Sequence, residues 1–340
     1  MRHPHIHLGW LAGAAIFAVI GLLPALQAFD LRAMDPFWFE HDPHPDIAII
    51  AIDNASLQEI GRWPWSRATH ARMVRQLASF NPRAVGIDVM WAEPENAEAD
   101  GALADALREA TFPVILPVEE LRFKNSDLPG TLLPLPAFRT QSTVTLGHVG
   151  IPPSSDGFSR FFPTLLTTKD GTYRPFGVEM ATRLGATTPS VSKAFIDFAG
   201  PAATFPTYSY SDVLSGDVPA EELTDKIILI GATASDFHDT ALTPFGIVAG
   251  VEWHANVLDT VLLRAPIVLV PRALVVLAGA LLALFAFIVF HLFNARYSFI
   301  ALVVFLLVPP IASVLAWRAG YVLPFAYADL LVLLSFLSLL

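Results

Sequence analysis

The stretch IAIIAID, Ile47–Asp53, decides how the rest of this chain is read. Its six consecutive apolar residues show no polar alternation and are too few for a core-spanning helix. They describe a strand buried on both faces, and the acid marks where the chain leaves the core. The same form recurs at Ala84–Asp88 (AVGID), at Pro113–Val118 (PVILPV) and at Lys226–Gly231 (KIILIG). Helical periodicity fills the intervals: Pro64–Ser79 with Ser66 as N-cap, Asp100–Ala110, Phe176–Leu184 and Val251–Leu263. Buried strands alternating with helices predict an α/β fold around a mostly parallel sheet with flanking helices. The Pro- and Leu-rich stretch Leu121–Gln141 is expected to be irregular. Val144–Ile151 and Phe158–Thr168 read as strands around a turn at Asp156-Gly157, with Ala194–Phe198 a further strand and Tyr210–Leu214 a short element. Together these predict an inserted β-rich lobe. No Gly/Ser linker divides the region, so 30–266 is expected to be one domain.

Working outward, composition changes abruptly at both edges of that region. The 340 residues are 54% apolar and 15% charged, against about 45–50% and about 25% in ordinary soluble domains. Charge is concentrated in the middle: Asp30–Pro266 holds 17 Lys and Arg against 30 Asp and Glu, a net of −13. Outside it stand only Arg2, Arg272, Arg296, Arg318 and Asp329. An acidic middle without basic clusters argues against nucleic-acid binding. With no cysteine, thiolate chemistry and disulfides are excluded.

The edges read as membrane. Leu8–Ala28 is 21 residues without a charge, enough to cross a hydrocarbon layer of about 30 Å. It exceeds the roughly 7–15 residues of a signal-peptide core, and Leu26-Gln27-Ala28 is a poor cleavage site, so an anchor is expected. Ala273–Leu292, Tyr297–Trp317 and Gly320–Leu340 are three more spans, with Pro309-Pro310 inside the second of them. Four spans place both termini on one side and the acidic domain on the other, and arginine counting leaves the orientation open. Asp329 in the last span has two readings, an interfacial position or a functional carboxylate inside the bundle. The expected division is 1–29 for the N-terminus and first span, 30–266 for the domain, and 267–340 for three spans, with the chain cut before a following module.

Acids recur where strands end: Asp53, Asp88 and, beyond KIILIG, Asp239. Ligands of open parallel sheets bind beyond the carboxyl ends of the strands. Asp53 and Asp88 could therefore floor a pocket with Glu93 and His70, or Asp53 could simply cap the next turn. Glu252, Asn256 and Asp259 share one helical face, either a solvated stripe or a pocket wall, while His254 falls on the packing side. Trp63-Pro64-Trp65 could stack on a ligand or pack the helix entry. Gly231-Ala232-Thr233-Ala234 could present N–H groups to an anion, but no P-loop lysine or nucleophile elbow follows. No helical spacing brings metal ligands together, so no metal and no cofactor are expected.

Four ordered motifs carry a resemblance: IDNASLQEIGRWPWSRATHARMVRQL (Ile52–Leu77), AVGIDVMWAEPE (Ala84–Glu95), KIILIGATASDFHDTALTPFG (Lys226–Gly246) and GVEWHANVLDTVL (Gly250–Leu262). In these the chain resembles the type-two CHASE sensory domain (cyclases/histidine kinases associated sensory extracellular). The resemblance implies an extracytoplasmic sensor of a bacterial transmembrane signalling protein, with residues 30–266 outside. It also implies a multi-pass inner-membrane location, a homodimer, and a cytoplasmic cyclase or kinase module that these residues lack, leaving the residues themselves non-catalytic. Matching polar positions are Asp53, Trp65, Arg67, His70, Asp88, Glu93, Asp239, Glu252, His254 and Asn256, of which all but His254 are candidates for binding a small-molecule or environmental signal. The rival expectation is a membrane-anchored hydrolase using a metal held by Asp53, Asp88 and Asp239; a third is a stand-alone membrane partner protein.

Overall fold

Every apolar run quoted above forms a strand of one sheet in the computed structural model, which describes residues 22–38, 40–121, 129–187, 191–263 and 267–338. The strands are β1 (Ile47–Ile52), β2 (Ala84–Ile87), β3 (Val114–Leu121), β4 (Gly130–Leu132), β5 (Val144–His148), β6 (Thr207–Ser209) and β7 (Ile227–Ala232). Six of them run parallel in the order β6-β1-β7-β2-β3-β5, and β4 pairs antiparallel with the end of β3. The last of these strands in the chain, β7, lies between the first two in space, so three carboxyl ends from distant parts of the sequence stand side by side.

The helices of six or more residues in this unit are α1 (Asn54–Ile60), α2 (Arg67–Ala78), α3 (Ala97–Glu109), α4 (Phe176–Arg183), α5 (Tyr210–Ser215) and α6 (Gly250–Leu263). Alternate residues of a strand point to opposite faces, and here each face has its own helical layer. Ala48, Ile50 and Ile52 pack with α2, α3 and α5. Ile47 and Ile49 pack with α4 and α6. This double coverage is why the strands lack polar alternation, and it makes the fold α/β with a mostly parallel sheet and flanking helices.

Local departures from the sequence reading have physical reasons. Val144–His148 joins the central sheet beside β3, because its apolar residues pair there rather than in a lobe. Leu121–Gln141 carries β4 and a helical turn, Pro136–Arg139, and 122–128 lie outside the described residues. The expected strand Ala194–Phe198 is Lys193–Phe195, paired antiparallel with Phe161–Pro163, and Leu166–Thr168 pairs with Gly171–Tyr173. Helix α1 was not expected; Asp53 caps it through Ser56. Nor was the hairpin Thr240–Thr243/Gly246–Ala249, whose turn carries Gly246 at positive φ.

A second compact unit contains the apolar helices α7 (Arg272–Leu292), α8 (Ala295–Arg318) and α9 (Ala326–Leu337), with the helix Pro24–Met34. Among the described residues, α7 and α8 are the two helices long and apolar enough to cross a membrane. They correspond to two of the four expected spans. The last forms a helix of only 12 residues, because Tyr321–Val322 pairs with Val268–Leu269 instead of extending it. Most of Leu8–Ala28 lies outside the described residues. Asp30, buried, pairs with Arg272 and accepts a hydrogen bond from the Tyr327 amide at 2.6 Å, which ties Pro24–Met34 to the starts of α7 and α9. Asp329 sits in the first turn of α9.

Candidate functional site

The carboxyl ends of β1, β7, β2 and β3 open onto a cleft of about 510 Å³. Its lining includes Ile52 from β1, Ala232 from β7, Asp88 to Trp91 beyond β2, Glu119 from β3, and Phe237 and Asp239 from the segment after β7. The entry to α2 supplies the remaining wall with Trp63, Pro64, Trp65, Arg67 and His70. This is the location expected of a ligand site in an open parallel sheet. Its volume falls in the range of about 300–1,000 Å³ common for small-molecule sites.

Aromatic rings form part of the walls and brace one another. Trp63 stands edge-on to Trp65 at 5.2 Å and to Phe237 at 5.4 Å, and His70 lies 5.1 Å from Trp91. Trp65 and Trp91 are buried, whereas Trp63 and Phe237 are half-buried. Thus Trp63-Pro64-Trp65 both packs the start of α2 and lines the cleft. The Trp65 indole N–H donates to the Gly61 carbonyl at 2.8 Å, which locks that ring.

Charges in the cleft are unevenly matched. The Asp88 side chain is 13% exposed, with His254 Nε2 at 3.8 Å from Oδ2. Burial, with Asp239 and Glu119 nearby, pushes its carboxyl up to about 8. Asp239 and Glu119 are exposed. The one cation of the lining, Arg67, is already engaged: Nη2 donates to the Glu93 carbonyl at 3.0 Å, and the Glu95 and Asp100 carboxylates lie at 4.0 and 3.9 Å. His70 is held neutral, its pKa lowered to about 3 by burial and then by Arg67. The Tyr210 hydroxyl lies 3.1 Å from His70 Nδ1, while Nε2, buried, has no hydrogen-bond partner.

Of the nine candidates, the cleft gathers Trp65, Arg67, His70, Asp88 and Asp239. Asp53 is elsewhere: its carboxylate accepts from the Ser56 amide at 2.8 Å, the Ser56 hydroxyl at 2.6 Å and the Ser209 hydroxyl at 2.8 Å. Although burial opposes it, these bonds hold the Asp53 carboxyl below its usual range. Asp53→Ala is expected to cost about 1–2 kcal/mol, as loss of a helix cap does, and to leave the cleft unchanged. The urea midpoint and the quenching of tryptophan fluorescence check the two halves of that statement.

Glu93 meets Arg67 through its backbone only and does not line the cleft. Glu252 and Asn256 form neither a solvated stripe nor a wall of this cleft. Both are buried on α6, where they accept from the Thr204 and Ala199 amides at 3.1 and 2.9 Å and hold the loop before β6. Asp259, also buried, accepts from the His44 amide at 2.6 Å. His254 is buried as its packing side predicted.

The trio Asp53, Asp88 and Asp239 is therefore not assembled, and no group of three His, Asp or Glu among the described residues is placed to hold a metal ion. The Thr233 and Ala234 amides donate to the Ile52 carbonyl, so that turn has no spare donors there for an anion. Sequence reasoning passed over Met90, Trp91, Glu119 and Phe237. Trp91 follows the acid ending β2 by three residues, and Glu119 is the first acid after the PVILPV run, so strand-end position alone could have found both.

Residues 12–292 of the chain match the family described as CHASE2 domain. No curated protein and no solved structure matches the chain.

Proposed function

The chain belongs to the CHASE2 domain family, an extracellular sensory family of signalling proteins, and from that premise we propose that its cleft receives a signal and that α6 relays it toward the membrane helices. One observation supports the reading above others: two acids of the cleft also meet α6. Asp88 faces His254 at 3.8 Å. Asp239 accepts a backbone hydrogen bond from Gly250, the first residue of α6, and its carboxylate lies where a Cβ on Gly250 would be. A ligand that changes the charge or position of either acid therefore acts on this helix, and it can shift a two-state equilibrium only by binding one state better.

In this reading the domain lies outside a bacterial inner membrane, α7 and α8 belong to a multi-pass anchor, and the protein works as a homodimer. A cytoplasmic cyclase or kinase supplies the output. The short connection Arg264-Ala265-Pro266, which lies outside the described residues, follows α6 directly in sequence. Inserting Gly-Ser-Gly-Ser after Arg264, in a chimera carrying an adenylate cyclase beyond the last helix, is expected to abolish the response of cyclase activity to cleft substitutions. An unchanged response would refute the relay.

A further inference from the structure

We propose that the cleft binds an organic ammonium ion, its charge held by Asp88, Asp239 and Glu119 and its alkyl groups lying against Trp63, Trp91 and Phe237. The proposal rests on the sensor reading only in taking this cleft as the signal site.

Charge comes first. Three carboxylates and one guanidinium line the cleft, and that guanidinium is already engaged, donating to the Glu93 carbonyl with the Glu95 and Asp100 carboxylates at 4.0 and 3.9 Å. His70, neutral at physiological pH, adds nothing positive. An anion would meet net repulsion, and the Thr233 and Ala234 amides after β7 are already taken by the Ile52 carbonyl. A neutral apolar ligand would leave the Asp88 carboxyl and the Asp239 and Glu119 carboxylates without a partner, which is costly for polar groups taken out of water.

The walls then separate an organic cation from a metal. Divalent ions call for several oxygen or nitrogen ligands closing around a small volume, and no such group is gathered among the described residues. Here the three carboxylates share about 510 Å³ with the rings of Trp63, Trp65, Trp91 and Phe237. Indole and phenyl faces attract ammonium groups through the ring quadrupole and tolerate their alkyl substituents. Trp63 and Phe237 keep part of their surface open.

The unpartnered Nε2 of His70 is the second, independent sign of a ligand. Its ring is 2% exposed and its other nitrogen is engaged by Tyr210. A buried polar atom without a partner costs free energy, and one on a cleft wall gains a partner from a bound molecule carrying a hydroxyl. Choline, a quaternary ammonium with a hydroxyl, is a suitable probe, and 3,3-dimethylbutan-1-ol is its uncharged carbon analogue.

The full chain in detergent micelles is titrated with each compound, followed by calorimetry and tryptophan fluorescence. The proposal expects choline to bind with 1:1 stoichiometry and the neutral analogue to bind at least tenfold more weakly. Asp239→Asn and, because Asp239 also abuts α6, the exposed Glu119→Gln should each weaken choline about tenfold. Equal binding of the two compounds, no choline binding up to 50-fold above a millimolar range (about 50 mM, far weaker than the affinities of specific sites), or stoichiometric Mg²⁺ binding that displaces choline would each overturn it. The cyclase chimera keeps the two readings apart. Choline binding without a change in output leaves the ammonium site standing and overturns the relay. Output that responds to Asp88→Asn while choline fails to bind overturns the ammonium and leaves the relay standing.

Discussion

Gly177→Val is expected to lower the apparent melting temperature of the full chain by about 10 °C, from a destabilisation of about 3 kcal/mol or more. Gly177 lies in α4 where this helix crosses α6, and a Cβ there would stand 2.7 Å from the His254 carbonyl and 2.8 Å from the Leu258 amide. Both obstacles are backbone, so no rotamer change relieves them; one helix must move away from the other. Alanine already introduces the clash, and valine adds two methyl groups in a layer where Phe176, Met180, Val251 and Leu258 are all buried. The displacement also pulls α6 from the sheet, so loss of stability and loss of the Asp88–His254 approach should coincide. Gly101 is the internal control. It lies in α3 with nothing within 4 Å of an added Cβ, and Gly101→Ala should stabilise by about 0.5–1 kcal/mol through helix propensity. Thermal unfolding of the three proteins followed by tryptophan fluorescence decides the matter; equal melting points for Gly177→Val and the parent would refute backbone contact between α4 and α6.

The legibility of this fold followed burial. Strands covered on both faces leave unbroken apolar runs, and four of those runs are β1, β2, β3 and β7. The helices on them show their period because one face packs and one is wet. Elements that make few core contacts left no such trace: α1 is held by the Asp53 cap, and the hairpin after β7 by its turn. Strand order was not legible either, since nothing local to Lys226–Gly231 says that it inserts between two strands more than 100 residues earlier. That insertion is what brings Asp239 beside Asp88. The polar stripe of α6 misled for a related reason: Glu252, Asn256 and Asp259 share a face, but the face is covered by backbone from 44 and 199–204, which no periodicity reveals. Trp65, Arg67, His70, Asp88 and Asp239 share the cleft because strand ends and helix entries are where an open sheet gathers side chains. Asp53, at a strand end too, was claimed by the serine three residues on.

Asp88→Asn is expected to remove a pH dependence of stability that the parent protein shows above neutrality. Facing Asp88 are Asp239 after β7, Glu119 on β3, and His254 on α6 with His148 of β5 behind it, while Arg67 and His70 line the far wall. Burial and the two acids push the Asp88 carboxyl up to about 8 from an unfolded value of 3.8. Through that window the folded protein retains a proton that the unfolded chain has lost, so this contribution to stability is full below the unfolded value and is lost as pH rises through the folded one. The buried histidines act oppositely. His70 and His254, lowered to about 3, and His148, lowered to about 4, stay neutral in the fold while the unfolded chain takes up protons below about 6.5. Acidification therefore destabilises through the histidines, whereas Asp88 contributes a loss of stability above pH 6.5. From pH 6.5 to 9 the parent should lose about 2 kcal/mol of unfolding free energy through this one group, and Asp88→Asn should lose almost none of it. Urea unfolding of both proteins at the two pH values measures the difference, and parallel losses would show that the Asp88 carboxyl is already ionised at pH 6.5. The same proton competes with a bound ammonium, so choline affinity should rise across this window in the parent and stay level in Asp88→Asn.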